Sequence, residues 1–232
     1  LVESLNLDDF EKVINKKTKI IYVETPSNPL LEIIDLKRVY LLAKKHKLIS
    51  IIDNTFASPV NQNPSEFGID IIIHSATKYL GGHSDILAGA IASSKKIIDK
   101  IIESSINYGG NLSAFTAWLL ERSIKTLPLR VKAQNENALR LAKFLDNNEK
   151  VSKVNYPGLE NHPQFEIAKK QMKGFGGMLS FVLKNEQKVN FFPKQLNIVK
   201  PGGSLGGIES TITAPSLTSH AKMTKDLRLK YG

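Results

Sequence analysis

DIIIHSATKYLGGHS, residues Asp70 to Ser84, sets three kinds of residue in an order that specifies the end of a strand. The apolar run Ile71 to Ile73 meets two small hydroxylated residues, Ser75 and Thr77, then the lone amine of Lys78, then the Gly81-Gly82 pair. A short apolar run closed by turn chemistry predicts a buried strand, and in open α/β sheets ligands collect just beyond the carboxyl ends of such strands. Lys78 falls at that edge.

A lysine in this position is either a solvated surface residue or a nucleophile. Ser75 and Thr77 lie two apart, so in extended backbone both hydroxyls project from one face and can hold a phosphate beside the amine. An amine next to a phosphate-anchored aldehyde is what a Schiff base with pyridoxal 5'-phosphate (PLP) requires, provided the amine can shed its proton near neutral pH. That cofactor also needs an acid for its ring nitrogen. Residues Leu48 to Asp53, LISIID, form a second apolar strand ending in a carboxylate, 25 residues before Lys78. Asp53 taken alone is an ordinary turn residue; taken with the lysine segment it is the candidate ring-nitrogen partner.

At this point the motifs add up to a resemblance. SATKYLGGHSD, with ETPSNP at Glu24 to Pro29 and IIDNTF at Ile51 to Phe56, resembles the Cys/Met-metabolism family of PLP-dependent enzymes. YPGLENHPQ at Tyr156 to Gln164, GFGGMLSF at Gly174 to Phe181 and SLGGIES at Ser204 to Ser210 fit the same pattern in order, so the likeness covers nearly the whole chain. The family includes cystathionine γ-synthase, cystathionine β- and γ-lyases, methionine γ-lyase and homoserine-ester sulfhydrylases. The resemblance implies a fold-type-I PLP-dependent transferase: an α/β large domain with a mostly parallel sheet, followed by a smaller α/β C-terminal domain. It implies Lys78 as the catalytic amine, with Lys78, Asp53, Ser75, Thr77, Asn28 and Glu24 holding the cofactor. Asn28 would reach the ring's phenolic oxygen, and the Ser204 backbone the substrate carboxylate. An amino-acid substrate and a homotetramer of dimers with shared active sites follow from the same likeness. The resemblance implies a cystathionine lyase or cystathionine γ-synthase, acting by β- or γ-elimination or γ-replacement, with an O-acetyl- or O-succinylhomoserine sulfhydrylase or methionine γ-lyase as alternatives. Several γ-synthases and γ-lyases carry a glutamate before the SLGG serine where this chain has Gly203, which weakens γ-specificity and raises the standing of a β-lyase or a sulfhydrylase. A PLP aminotransferase would share Asp53 and Lys78 and is the rival enzyme class; an inactive fragment is the rival outside enzymes. The chain starts at leucine, and we expect a fragment lacking both ends, with the ring-stacking aromatic and the arginine for the substrate carboxylate outside it.

Composition bounds these readings. The 41% hydrophobic and 23% charged content of the 232 residues is that of a globular protein with a substantial core. The absence of cysteine excludes disulfides, thiolate metal sites and a cysteine nucleophile within the chain. His74 and His83 are not at metal-ligand spacing, and no metal is expected. No apolar run approaches the length of about 18 residues that a membrane span needs, and the start has no basic segment leading into an apolar one, so a cytoplasmic protein without membrane contact is expected. The net charge of +10 invites a nucleic-acid partner, but 27 lysines against five arginines, scattered along helical stretches without interleaved aromatics, predict a solvated surface instead.

Element by element, Asp8 to Asn15 resembles a helix end, and Lys19 to Glu24 alternates as a strand. Asp35 caps a helix over Leu36 to Lys47 that returns the chain to Leu48 to Asp53, making a parallel βαβ unit. Asn54 to Gly68 is expected to be a loop too polar for the core. A strand over Ile86 to Ser93, a helix over Lys95 to Ser105 and a long helical pattern from Ala114 to Asn147, divided at Pro128, follow. Trp118, Leu119 and Leu120 are core candidates. The domain boundary is placed at Thr126 to Leu129, giving 1–126 and 127–232. Beyond it the pattern predicts strand Val151 to Tyr156, helix Gln164 to Lys173, strand Met178 to Leu183 and helix Glu186 to Leu196. Neither glycine cluster carries the pattern of a dinucleotide or phosphate-loop NTPase fingerprint.

Overall fold

Parallel strands joined by a helix leave their carboxyl ends on a common edge, and that is how the first 75 residues are arranged. The computed structural model describes residues 2, 5–185, 189, 191–218, 220–224 and 226–227. Strand β1 (Ile20–Glu24) leads through helix α2 (Leu36–His46) to β2 (Ile49–Asp53), and β2 pairs parallel with β1 and with β3 (Ile71–Ser75). Strand β4 (Gly89–Ser93) closes the order β1-β2-β3-β4 antiparallel to β3, so its first residue lies at the edge where the other three end. Asp35 accepts from the Arg38 N–H at 3.1 Å and caps α2 as the sequence predicts. Asp70 Oδ2 takes both the N–H and the hydroxyl of Ser50, at 2.8 and 2.7 Å, which fixes the entry of β3 beside β2.

One face of this sheet carries the core. Ile21, Val23, Ile52 and Ile72 pack against Leu36, Val39, Leu42 and Ala43 of α2 and against Leu7 of helix α1 (Leu7–Val13). The other face is open among the described residues: Ile20, Tyr22, Ile49 and Ile91 are exposed and Ile71 and Ile73 half-buried. The Ile71 strand is therefore buried on one side only, because α1 and α2 both lie on the same face.

Asn54 to Gly68, expected to be a solvated loop, contains a short helix α3 (Ser58–Asn61) and a 3-10 turn over Pro64–Phe67, and much of it is buried. Its polar groups satisfy one another. Gln62 donates to Asn54 Oδ1 at 2.8 Å and to the Thr25 carbonyl at 3.3 Å, while Asn54 returns a bond to the Gln62 carbonyl at 3.0 Å. Gln171 donates to Gln62 Oε1 at 3.1 Å and to the Ile34 carbonyl at 3.0 Å, and accepts from the Leu36 N–H at 3.2 Å.

The second half supplies that Gln171. Helix α4 (Lys95–Tyr108) ends at Gly109 and buries none of its residues; α5 (Ala114–Ile124) is capped by Ser113, and α6 (Leu127–Asp146) starts with Pro128 in its first turn, as the division at that proline predicts. Strand β5 (Val151–Asn155), helix α7 (Phe165–Gln171) and β6 (Ser180–Leu183) follow, β5 and β6 pairing antiparallel, and a short parallel pair joins β7 (Lys200–Pro201) to β8 (Thr211–Ile212). Part of the predicted helix Glu186 to Leu196 lies outside the described residues; its described end is a 3-10 turn over Phe192–Gln195. Trp118 is not core. It is 56% exposed and stacks on Phe115, because α5 meets the rest of the chain through Leu120.

Substituting Gln62→Leu strips Asn54 and the Thr25 carbonyl of their buried donor, and the cost of such orphaned groups sets the expected loss of unfolding free energy at about 2–4 kcal/mol. Urea denaturation measures it, with the exposed Lys12→Ala, expected to leave the midpoint nearly unchanged, as reference.

Candidate active site

The strand register brings carboxylates and a hydroxyl to one edge. Glu24 lies opposite Asp53, and Asp53 opposite Ile73. Side chains alternate along a strand, so Ser75, two residues beyond Ile73, shares the face of Glu24 and Asp53. This is the face that α1 and α2 leave uncovered. Desolvation first, and the Asp53 charge second, hold the Glu24 carboxyl above the ordinary carboxylate range, with the Asn28 backbone N–H pulling it back. Tyr22, on the same face, is raised by desolvation and then by Asp53 and Glu24. His74 points to the opposite, buried face, where desolvation pulls its imidazole down against the opposing pull of Asp53.

Beyond β3 the chain wraps tightly around Lys78. The Lys78 N–H donates to the Ser75 carbonyl at 3.0 Å, the Gly81 N–H to Ala76 at 2.8 Å and the Gly82 N–H to Lys78 at 2.7 Å. Ala76, Tyr79 and Leu80 are buried beneath this turn with Leu127 and Val131 of α6. The Lys78 side chain runs outward to donate from Nζ to Ser204 Oγ at 3.2 Å, across 126 positions of sequence. Gly206 makes that approach possible. Its φ is +78°, and a Cβ there would stand 2.6 Å from the Tyr79 nitrogen, so only a residue without a side chain lets this loop lie on the lysine backbone.

The predicted residues are thus partly assembled. Lys78 and Ser204 are in contact, and Glu24, Asp53 and Ser75 share an edge and a face. The Ser75 hydroxyl makes no hydrogen bond among the described residues, its backbone being held by Thr55 Oγ1 at 2.8 Å. Thr77 differs: its hydroxyl donates to the Ala88 carbonyl at 3.3 Å and accepts from the Ala88 N–H at 3.0 Å, so it pins the return of the loop where the sequence suggested a second free hydroxyl. Asn28 is exposed on its turn and reaches the site through its backbone. His83 is tied to the Gly81 carbonyl at 2.8 Å. Asp53 spends Oδ1 on the Thr55 N–H at 2.9 Å and keeps Oδ2 unpaired among the described residues. An amine with two unused protons, a carboxylate oxygen and a hydroxyl, each with bonding capacity left at one sheet edge, is a donor set that suits PLP. No group of three acidic or histidine side chains that could hold a metal occurs among the described residues.

Two contributors escaped the sequence reading. Arg130 of α6 donates to the Tyr79 carbonyl at 2.9 Å, to Ser123 at 3.0 Å and to Thr126 Oγ1 at 3.0 Å. Gln134, one turn on, donates to the Gly207 carbonyl at 2.8 Å and to Gly206 at 3.4 Å. The scarcity of arginine in a lysine-rich chain was a signal for the first, since a guanidinium fork can serve several carbonyls; nothing in the sequence marked the second.

The model of the Cys/Met metabolism PLP-dependent enzyme family matches residues 1–232. The chain is 47% identical over 233 residues to cystathionine β-lyase of Lactococcus lactis subsp. cremoris (strain MG1363), covering 100% of the chain and 61% of that protein. It is 44% identical over 232 residues to cystathionine γ-lyase of Bacillus subtilis (strain 168), again covering 61% of the relative. Its fold superposes on cystathionine γ-lyase from Lactobacillus plantarum complexed with L-serine with a TM-score of 0.95 at 42% identity, over 98% of this chain and 60% of that one. Cystathionine γ-synthase from Xanthomonas oryzae pv. oryzae, in complex with aminoacrylate and cysteine, gives 0.89 at 41% identity, over 92% and 56%. The chain therefore spans about three fifths of the length of these relatives.

A raised carboxyl pKa means that the folded chain binds more protons than the unfolded one above the unfolded value, so the Glu24 charge subtracts stability as pH rises through that window. Glu24→Gln should raise the thermal midpoint at pH 7 and converge with the parent at about pH 3, well below the ordinary glutamate value, where the acid is neutral in both states. Melting curves across this pH range measure it; a variant less stable at pH 7 would contradict the assignment.

Proposed function

The chain belongs to the Cys/Met metabolism family of PLP-dependent enzymes, and from that premise we propose that the protein acts on sulfur amino acids by β- or γ-elimination or γ-replacement, as a cystathionine lyase or γ-synthase. The observation that carries this reading is the Lys78 amine, presented beyond the carboxyl edge of the sheet on the Ser204 hydroxyl at 3.2 Å. When bound, PLP supplies an electron sink for charge developing at the α carbon of an amino acid. The chain's own residues do the rest. Lys78 would hold the cofactor, and its amine would then be the group that removes the α proton and delivers it to the leaving group. Asp53, through its free oxygen, keeps a proton on the ring nitrogen. Ser75 grips the phosphate, with Thr77 shaping the turn that presents it; Asn28 and Glu24 stand at the outer rim, and the Ser204 segment faces the substrate carboxylate.

Gly203 bears on which bond breaks. A Cβ at this position would meet nothing within 4 Å, so the side of the pocket where several γ-specific relatives carry a glutamate is open here. This favours β-elimination, giving homocysteine, pyruvate and ammonia from cystathionine and water; a sulfhydrylase is the second reading on the same observation. The aminotransferase alternative has no support in the family match. No helix among the described residues is long and apolar enough to cross a membrane, and a small amino acid remains the proposed ligand. A tetramer of dimers is the proposed assembly.

With PLP added, the chain should develop an imine absorbance band that Lys78→Ala lacks, and cystathionine turnover should fall by about 10²–10⁴-fold in that variant. Product analysis separates the branches: pyruvate with homocysteine marks β-cleavage, 2-oxobutyrate with cysteine marks γ-cleavage. Absence of both products and of the band in the parent chain would sink the reading.

A further inference from the structure

Helix α6 reaches both loops that meet at the amine. Arg130 and Gln134 are four residues apart, hence on one face of the helix. Arg130 holds the lysine loop by the Tyr79 carbonyl, at 2.9 Å, and the same guanidinium ties that loop to the end of α5 through Ser123. Gly82 gives the guanidinium its space, since a Cβ there would fall on Arg130 Nη1. Gln134 holds the serine loop by the Gly207 and Gly206 carbonyls. The two loops touch directly where Gly206 lies on the Lys78–Tyr79 backbone, and Gly177 presses on Gln134 from the other side.

Gln134 also has an oddity that its packing does not require. Its Oε1 is buried with no hydrogen-bond partner among the described residues. An orphaned buried carbonyl destabilises, and a methionine would fill a similar volume without one. What a methionine cannot supply is the pair of N–H bonds to the serine loop.

We propose that Arg130 and Gln134 form a clamp on α6 that sets the separation of Lys78 Nζ from Ser204 Oγ, making both positioning residues for the amine. They touch neither the cofactor nor the reacting atoms; they act through the lysine–serine pair. The inference rests on the function proposed for Lys78, and it predicts that disturbing α6 changes the behaviour of one amine out of 27 lysines.

The test is a double-mutant cycle read on the 232-residue chain without cofactor. Lysines are acetylated with limiting acetic anhydride, and the rate at Lys78 is taken relative to exposed Lys132 by peptide mass spectrometry. Ser204→Ala frees the amine from its hydrogen bond and should raise the relative rate about two- to tenfold, the range that one net hydrogen bond allows. Gln134→Met should do the same. The double variant should match either single one, because the clamp has nothing left to position once the serine hydroxyl is gone. Arg130→Lys, run through the same cycle, keeps the charge but cannot span Tyr79, Ser123 and Thr126 together, and should give an intermediate rise. Circular dichroism reports folding of each variant. Multiplying effects in the double variant, an unchanged Lys78 rate in Gln134→Met, or loss of fold in both α6 variants each overturn the clamp. Adding PLP to the parent chain tests the underlying function separately: no imine band with an intact cycle refutes the cofactor and keeps the clamp, and a band with a failed cycle does the reverse.

Discussion

A chain of buried carboxamides holds the sheet edge to the second half of the molecule. Thr25 at the end of β1, Asn54 at the end of β2, Gln62 in the short helical segment and Gln171 at the end of α7 are all buried and bonded to one another or to backbone. Each link joins groups that would be orphaned singly, so the set is stable only when complete. Ion pairs such as Lys12–Asp9 and Lys95–Asp99 lie on exposed side chains and contribute little by comparison. The amides fix where β1 and β2 stop, and thereby where Glu24 and Asp53 stand.

Close approach of backbone to backbone is the second constraint, and it explains why the glycines cluster as they do. Gly206 sits on Lys78–Tyr79, Gly82 under Arg130, and Gly174 against the reciprocal amide pair of Asn61 and Asn135, bonded at 3.0 and 2.7 Å. Asn135 also accepts from the Gly176 N–H at 3.1 Å, and Tyr156, fully buried, donates to the Gly176 carbonyl at 3.0 Å. Helix α6 therefore meets the lysine turn, the Gly174–Gly177 segment and the Ser204 loop with residues from adjacent turns. A helix that serves three loops at once transmits any rotation of its own axis to all of them.

What the sequence made legible follows from which signals have a period or a chemistry of their own. Alternation in IIYVE, the cap at Asp35 and the proline that separates α5 from α6 all act locally, and each appears where expected. Lys78 and Asp53 were singled out by their place at strand ends, and Glu24 and Ser204 by the family motifs around them, not by residue type in a chain with 27 lysines. The structure puts Lys78 on Ser204 and Glu24 beside Asp53. Asn54 to Gly68 was misjudged because polarity indicates exposure only when a group lacks a protein partner, and Gln171, the partner of Gln62, lies 109 positions away. Trp118 was misjudged for the converse reason: a large apolar side chain is core only if something packs on it, and among the described residues only Phe115 stacks on its ring.

The open face of the sheet ties these observations to chemistry. Glu24 and Asp53 are direct neighbours, and none of the ion pairs among the described residues involves either. The Glu24 carboxyl is raised by desolvation first and by repulsion from the adjacent Asp53 carboxylate second. In the proposed reading, a protonated heteroaromatic nitrogen against Asp53 Oδ2 would relieve that repulsion, and Ser75, which shares the face, would hold the anionic group of the same molecule. In the same reading the Lys78 amine, which donates to Ser204 Oγ at 3.2 Å, would meet the ring's reactive carbon. Paired carboxylates and a hydroxyl on one face, with an amine in the turn beyond, would suit a ligand with a cationic ring and an anionic tail, and in the proposed reading such a ligand would offset the cost of the carboxylate pair.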